Sequence, residues 1–196
     1  DVYKRQTYSM PESLPPECMA LRERTESFVE SLRPLETRLA EGEAPDSVRA
    51  EVMVLSKAQG FFGMTQPVSV GGTEAGPLDL TIVRETLASA NLEVTRYVFG
   101  PRPGVLVAAE GRLREEYLMP HLRGEKRGTF GFTESDSAPR PTWASQDGDD
   151  LVVNGLKSFV TRARGADFVS ALVNVERDEN GIGGTAMVAI DLDESG

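Results

Sequence analysis

Near Gly128 the hydrophobic pattern changes period, and this change limits the folds open to the chain. Before it, apolar residues recur at helical spacing; after it, they alternate. Across residues 16–42, Leu21, Phe28, Leu32, Leu35 and Leu39 fall at spacings of seven, four, three and four. That pattern lays one apolar stripe along a helix. Pro34 lies inside the stretch, where its missing N–H and its ring predict a kink or break. Gly42 is the expected stop. A second helix is expected from Asp46, as N-cap, to Gly60, with Val48, Val52 and Leu55 on its inner face. Residues 66–76 are rich in Pro and Gly and read as a loop. Pro77 suits the first turn of a third helix carrying Leu80, Val83 and Leu87. Two shorter helices are expected at about 103–110 and 112–122.

Beyond Gly128, Val169, Ala171, Val173 and Val175 alternate with Ser170, Leu172 and Asn174, as in a half-buried strand. Asp147-Gly148-Asp149-Asp150 and Asp178-Glu179-Asn180-Gly181 are turn sequences between strand-like runs. Residues 185–190 form the last expected strand. Helices first and strands second predict an α+β chain of two modules, with a boundary at about 123–128.

Composition narrows the function. The 196 residues carry 21 Lys and Arg against 31 Asp and Glu, a net charge of −10. A non-specific nucleic-acid binder needs a basic face, and docking on anionic membranes needs the same, so neither partner is expected. No apolar run approaches the roughly 18 residues of a spanning helix. With one cysteine, Cys18, and one histidine, His121, neither a thiolate-based nor a multi-histidine metal site is expected. The cysteine usage fits a reducing compartment, and the expected location is cytoplasmic. His121 is read as a residue near a helix C-terminus, favourable to the helix dipole. Gly155-Leu156-Lys157-Ser158 lacks the spacing and following helix of a phosphate loop. Asp1-Val2-Tyr3-Lys4-Arg5-Gln6 resembles the translation of a transposase adapter used to build sequencing libraries. These residues, 1–6, are set apart from the fold, and the chain is read as an open-ended fragment.

Three segments, in order, carry a resemblance to a known family. The first is Lys57-Ala58-Gln59-Gly60-Phe61-Phe62-Gly63-Met64, leading to Pro67 and Gly71-Gly72. The second is Glu115-Glu116-Tyr117-Leu118-Met119-Pro120-His121-Leu122-Arg123-Gly124-Glu125, continuing to Gly131-Phe132-Thr133-Glu134-Ser135. The third runs from Gly148 through Asn154-Gly155-Leu156-Lys157-Ser158-Phe159-Val160-Thr161. They resemble, respectively, the Pro…Gly-Gly loop, the Lys/Arg-x-x-Tyr-Leu-x-x-Leu…Gly-Glu helix running into Thr-Glu-Pro, and the Asn-Gly-x-Lys-x-(Trp/Phe)-Ile-Thr segment of the acyl-CoA dehydrogenases. The resemblance implies an N-terminal helical, bundle-like domain over residues 7–126. It implies a truncated middle domain, antiparallel and β-barrel-like, over 127–196. It also implies a second helical domain that this chain lacks.

The resemblance further implies FAD as cofactor, an acyl-CoA thioester as substrate and α,β-dehydrogenation with hydride transfer to flavin N5. An electron-transfer flavoprotein as electron acceptor and a homo-oligomeric full-length protein follow from it too. Thr133 and Thr161 match the threonines at the polar edge of the isoalloxazine, where a hydroxyl can donate or accept. Phe159 matches the aromatic residue packed on the ring system. Phe130, Phe132, Ser135 and Val160 match neighbouring positions of the same two segments. No residue matches the family's catalytic glutamate, so no catalytic residue and no metal ligand is assigned. One departure stands out: after Thr-Glu this chain reads Ser135-Asp136-Ser137-Ala138-Pro139-Arg140, not Pro-x-Ala-Gly-Ser-Asp. Pro139 has no N–H to offer a phosphate, which leaves Arg140, Arg162 and Arg164 as candidate phosphate contacts. A monooxygenase or acyl-CoA oxidase on the same fold, or a non-catalytic binding member, are the alternative readings.

Overall fold

The computed structural model describes residues 14–148, 150–177 and 183–192. Residues 1–6 and the turn at 178–181 lie outside the described residues. Contacts divide the chain into two compact units, up to Gly100 and from Pro101 onward. The short helices after Pro101 thus group with the strands, although the hydrophobic period changes only near Gly128.

The first unit holds α1 (Pro16–Ala40), α2 (Pro45–Ala58) and α3 (Pro77–Ser89), with a 3₁₀ turn at Glu93–Tyr97. α1 runs through Pro34 unbroken, unlike the break expected there. Its buried stripe continues on both sides of the proline, at Phe28, Leu32 and Leu35, so packing offsets the lost hydrogen bond. α2 begins one residue before the expected cap. Pro45 takes the first helical position, where its fixed φ suits the helix, and Asp46 sits in the first turn beside the positive end of the helix dipole. Leu32, Val48, Val52, Phe61, Val83 and Val94 are wholly or almost wholly buried in one apolar cluster. Phe28 and Phe61 meet there with ring centroids 4.8 Å apart. At the α1–α2 corner, Arg38 reaches Glu43 at 2.7 Å and Glu51 at 2.6 Å. Its hydrogen bond draws the Glu43 carboxyl down to about 2.

In the second unit, a 3₁₀ turn (Gly104–Ala108) precedes α4 (Gly111–Leu113), a π turn (Arg114–Leu118) and α5 (Met119–Arg123). Then come β1 (Gly128–Gly131), β2 (Trp143–Asp147), β3 (Asp150–Asn154), β4 (Phe168–Val175) and β5 (Gly184–Asp191). The α+β order is the expected one. The sheet is open among the described residues and adds parallel pairs to the antiparallel ones expected of a barrel-like middle domain. β4 pairs in parallel with β1 and β2, which lie end to end along one edge, and antiparallel with β5 along the other. The 36 residues between Gly131 and Phe168 are ample for the crossover that parallel pairing needs. β2 and β3 form the expected antiparallel hairpin.

β4 is buried on both faces rather than one. Ala171 and Val173 join Ala144 in a small core, while Phe168 and Ser170 are buried on the opposite face. There Phe168 makes T-shaped contacts with Tyr117 and His121, at centroid distances of 5.1 and 5.7 Å. A Cβ on Gly128 would overlap the Phe168 ring, so only glycine opens β1 to this packing.

Truncating Leu32 to alanine is expected to cost about 2–5 kcal/mol, because its side chain is fully buried. Val54→Ala, at a position 66% exposed, should change stability by no more than about 0.5 kcal/mol. Urea unfolding followed by circular dichroism measures both.

Candidate functional site

Two segments of the second unit are locked together by one carboxylate. Glu134 and Lys157 face each other across an antiparallel bridge and form an ion pair. The second Glu134 oxygen accepts from the Thr142 amide at 3.1 Å and the Thr142 hydroxyl at 2.8 Å. Lys157 also donates to the Phe132 carbonyl at 3.3 Å. On either side, the Ser158 amide donates to the Thr133 carbonyl at 2.9 Å and the Ser135 amide to the Leu156 carbonyl at 3.0 Å. Partial burial, the largest influence on the Glu134 carboxyl, acts to raise its pKa. The Lys157 and Thr142 hydrogen bonds together outweigh burial and hold it below its ordinary range. Thr142 in turn fixes residue 155: a Cβ there would overlap the Thr142 side chain, so the Asn-Gly pair needs its glycine.

This clasp carries the flanking side chains to one cavity of about 780 Å³ within the second unit. Phe130, Phe132, Thr133, Phe159 and Thr161, five of the seven expected residues, line it. Ser135 and Val160 do not; the Ser135 hydroxyl is instead 2.8 Å from that of Ser137. Neither threonine belongs to a strand. Thr133 lies just past β1, and Thr161 lies in a turn. The turn is held by the Thr129 hydroxyl, which donates to the Thr161 carbonyl at 2.6 Å. Phe159 and Arg162 bracket the turn with left-handed backbones, φ 55° and 61°. For non-glycine residues such geometry costs of order 1–3 kcal/mol each and persists only when its surroundings impose it. Phe159 is 92% exposed, whereas Phe130 and Phe132 stack nearly parallel at 5.9 Å.

The cavity therefore offers flat apolar walls and, at Thr133 and Thr161, hydroxyls with no protein partner among the described residues. These are what an isoalloxazine requires: faces to stack on, and groups able to meet both its acceptors and its N3–H donor. Arg140 does not contribute. Its guanidinium lies 3.7 Å from the Trp143 ring centroid and pairs with Glu176 at 2.6 Å, away from the lining. Of the other two candidate phosphate contacts, Arg162 lines the cavity and Arg164 does not.

Four polar side chains of the lining had no functional reading in the sequence: Arg102, His121, Thr129 and Ser170. His121 sits near the end of α5, as expected, but burial lowers its pKa and disfavours the cation that would answer a helix dipole. Its Nδ1 accepts from the Gly128 amide at 3.2 Å, and Nε2 lies 3.2 Å from the Arg102 carbonyl oxygen. A neutral ring protonated on Nε2 satisfies these two, but gives Nδ1 no proton for the Lys126 carbonyl oxygen 3.3 Å away. The spacing held a signal here. From Leu118 to Leu122 the chain has one residue more than Tyr-Leu-x-x-Leu, and the π turn directly before α5 is the form in which a helix absorbs an extra residue.

A family model described as "Acyl-CoA dehydrogenase, N-terminal domain" matches residues 15–125. The chain belongs to the acyl-CoA dehydrogenase family. A probable acyl-CoA dehydrogenase from Mycobacterium abscessus superposes with a TM-score of 0.63 at 32% identity, covering 90% of this chain and 48% of that one. A 3-(aryl)acrylate reductase of Clostridium sporogenes is 31% identical over 67% of this chain and 38% of its own length. The CarC subunit of the caffeyl-CoA reductase–Etf complex of Acetobacterium woodii is also 31% identical, over 70% and 38%. The chain thus spans well under half the length of these two curated relatives. Its described helices include none long and apolar enough to cross a membrane.

Glu134→Gln tests the clasp. A carboxyl held below its ordinary pKa contributes stability that is fully present above about pH 4.3 and is lost as pH falls through the lowered value. The variant should be less stable by about 1 kcal/mol at pH 7, a figure reduced for partial exposure, and should converge on the parent once pH has fallen below the lowered value. Thermal melts across that range, with exchange of the Ser158 amide as the local readout, check it.

Proposed function

We propose that this chain is the helical domain (residues 7–126) and the start of the middle β domain (from residue 127) of an FAD-dependent acyl-CoA dehydrogenase. The reaction is α,β-dehydrogenation of an acyl-CoA thioester. Bound FAD supplies the hydride acceptor. This chain's residues bind and orient. The Thr133 and Thr161 hydroxyls hydrogen-bond the polar edge of the ring system, and Phe130, Phe132 and Phe159 wall its apolar part from water. Ser135 and Val160 shape the two segments from behind. Removal of the substrate α-proton needs a base close to the reacting carbon. No carboxylate lines the cavity among the described residues, and we assign the base to none of them.

The observation carrying this reading is the convergence of two unpartnered threonine hydroxyls, 28 residues apart in sequence, on one aromatic-walled cavity. An electron-transfer flavoprotein as electron partner is supported by the Etf in the name of the A. woodii complex. Fatty-acid metabolism, a cytoplasmic location and a homo-oligomeric parent complete the proposal. The names of two relatives favour a second reading of direction, in which an α,β-unsaturated acyl group is reduced.

Titration with FAD, followed by flavin fluorescence, tests the proposal. Thr133→Val and Thr161→Val should each weaken binding about 3–10-fold, as expected for loss of one hydrogen bond. Ser137→Val, outside the cavity, should leave it unchanged. Equal affinities for all the proteins would remove the two threonines from the site.

A further inference from the structure

In the second unit, three backbone groups converge on one imidazole. His121 is the single histidine of the chain. Its Nε2 lies 3.2 Å from the Arg102 carbonyl oxygen. Its Nδ1 lies 3.2 Å from the Gly128 amide nitrogen and 3.3 Å from the Lys126 carbonyl oxygen. A carbonyl oxygen only accepts, so Arg102 keeps a proton on Nε2 whatever the charge of the ring. The neutral ring then has one acceptor, Nδ1, which takes the Gly128 amide. A second proton can enter only at Nδ1. There it would be donated to the Lys126 carbonyl, and the Gly128 amide would lose its acceptor and face another N–H.

The surroundings keep ring and amide in place. Phe168, itself 1% exposed, meets the imidazole in a T-shaped contact at 5.7 Å. The Gly128 backbone is pressed against the same phenylalanine, too close for a Cβ. Gly128 opens β1 opposite Phe168 of β4, and the next residue, Thr129, holds the 159–162 turn through its hydroxyl. The proton state of one ring thus reaches the amide that begins a strand lining the cavity.

The charged neighbours offer an imidazolium little support. Lys126 sends its Nζ to Asp191 of β5 at 3.7 Å, and Asp191 also accepts from the Tyr117 hydroxyl at 3.0 Å. Arg127 pairs with Asp167, just ahead of β4, at 3.9 Å. At the end of α5, Arg123 pairs with Glu125 at 2.8 Å. The cavity side holds Arg102 and Arg162, both cations, and no carboxylate among the described residues. These carboxylates already answer other cations. Burial, the largest influence, lowers the His121 pKa against the opposing effect of the Lys126 and Arg102 carbonyls.

We propose that His121 is a proton-operated latch: neutral, it fastens the first amide of β1 to the end of α5; protonated, it releases that amide and takes the Lys126 carbonyl instead. The proton comes from solvent, and the latch works whether or not the cavity is filled. A histidine whose native pKa is depressed contributes stability that is fully present above its ordinary value of 6.5 and is lost as pH falls through the lowered one. The latch is closed at neutral pH and opens in acid.

Nuclear magnetic resonance of the purified chain, labelled with nitrogen-15, tests this, because one histidine gives one imidazole signal set. At about pH 8, Nε2 should carry a proton and Nδ1 none. On acidification Nδ1 should gain a proton with a midpoint below 6.5. Over the same interval the Gly128 amide resonance should shift and its protection from hydrogen exchange should fall about fivefold or more. The Asn174 amide, bonded to the Thr142 carbonyl, should keep its protection. In His121→Asn the carboxamide oxygen stands in for Nδ1 and cannot titrate, so Gly128 protection should no longer change through that interval. Should the variant fail to fold, the spectra of the parent chain decide. A proton on Nδ1 at about pH 8, a midpoint at or above 6.5, a ring that titrates while the Gly128 amide stays unmoved and protected, or a pH response at Gly128 that survives in His121→Asn would overturn the proposal.

Discussion

The arrangement of the second unit depends on one carboxylate meeting three donors. Glu134 joins Lys157 on one side and both polar groups of Thr142 on the other. Without it, the segment after β1 and the segment after β3 would be held among the described residues by two backbone hydrogen bonds and by the Lys157 bond to the Phe132 carbonyl. Thr133 sits one residue before Glu134, and Phe159 and Thr161 sit two and four residues after Lys157. Any slip of the clasp therefore moves the cavity walls together. The Thr-Glu and Asn-Gly-x-Lys motifs are thus two halves of one device, with the glycine leaving space for the threonine that orients the carboxylate.

Much of the fold was legible because packing and sequence period agree. The stripe on α1, the inner face of α2 and the start of α3 at Pro77 follow directly from apolar spacing and proline position. The strand at 168–175 and the hairpin around Gly148 were equally plain. Pairing direction was not, since alternation says which residues share a face and nothing about which way the neighbouring strand runs. The persistence of helix through Pro34 was likewise hidden, because local propensity lost to the buried residues on either side.

The candidate site was half legible for a related reason. Its aromatic and threonine members lie in motifs, so they could be found. Ser170 looked like the polar partner in an ordinary alternating strand, whereas it faces a second buried surface formed by Phe168 and the helical segment above it. Arg102 and Thr129 lie in stretches without a pattern, and only the fold brings them to the cavity. His121 lost its expected role because burial favours the neutral ring.

Phe159 holds a left-handed backbone and keeps its ring in water. A glycine there would relieve the torsional penalty and delete an exposed apolar group in one step, so this residue works against the fold of its own unit. Such positions lie where stability and activity trade against each other. Selection for thermal robustness of this chain alone would discard this aromatic ring among the first.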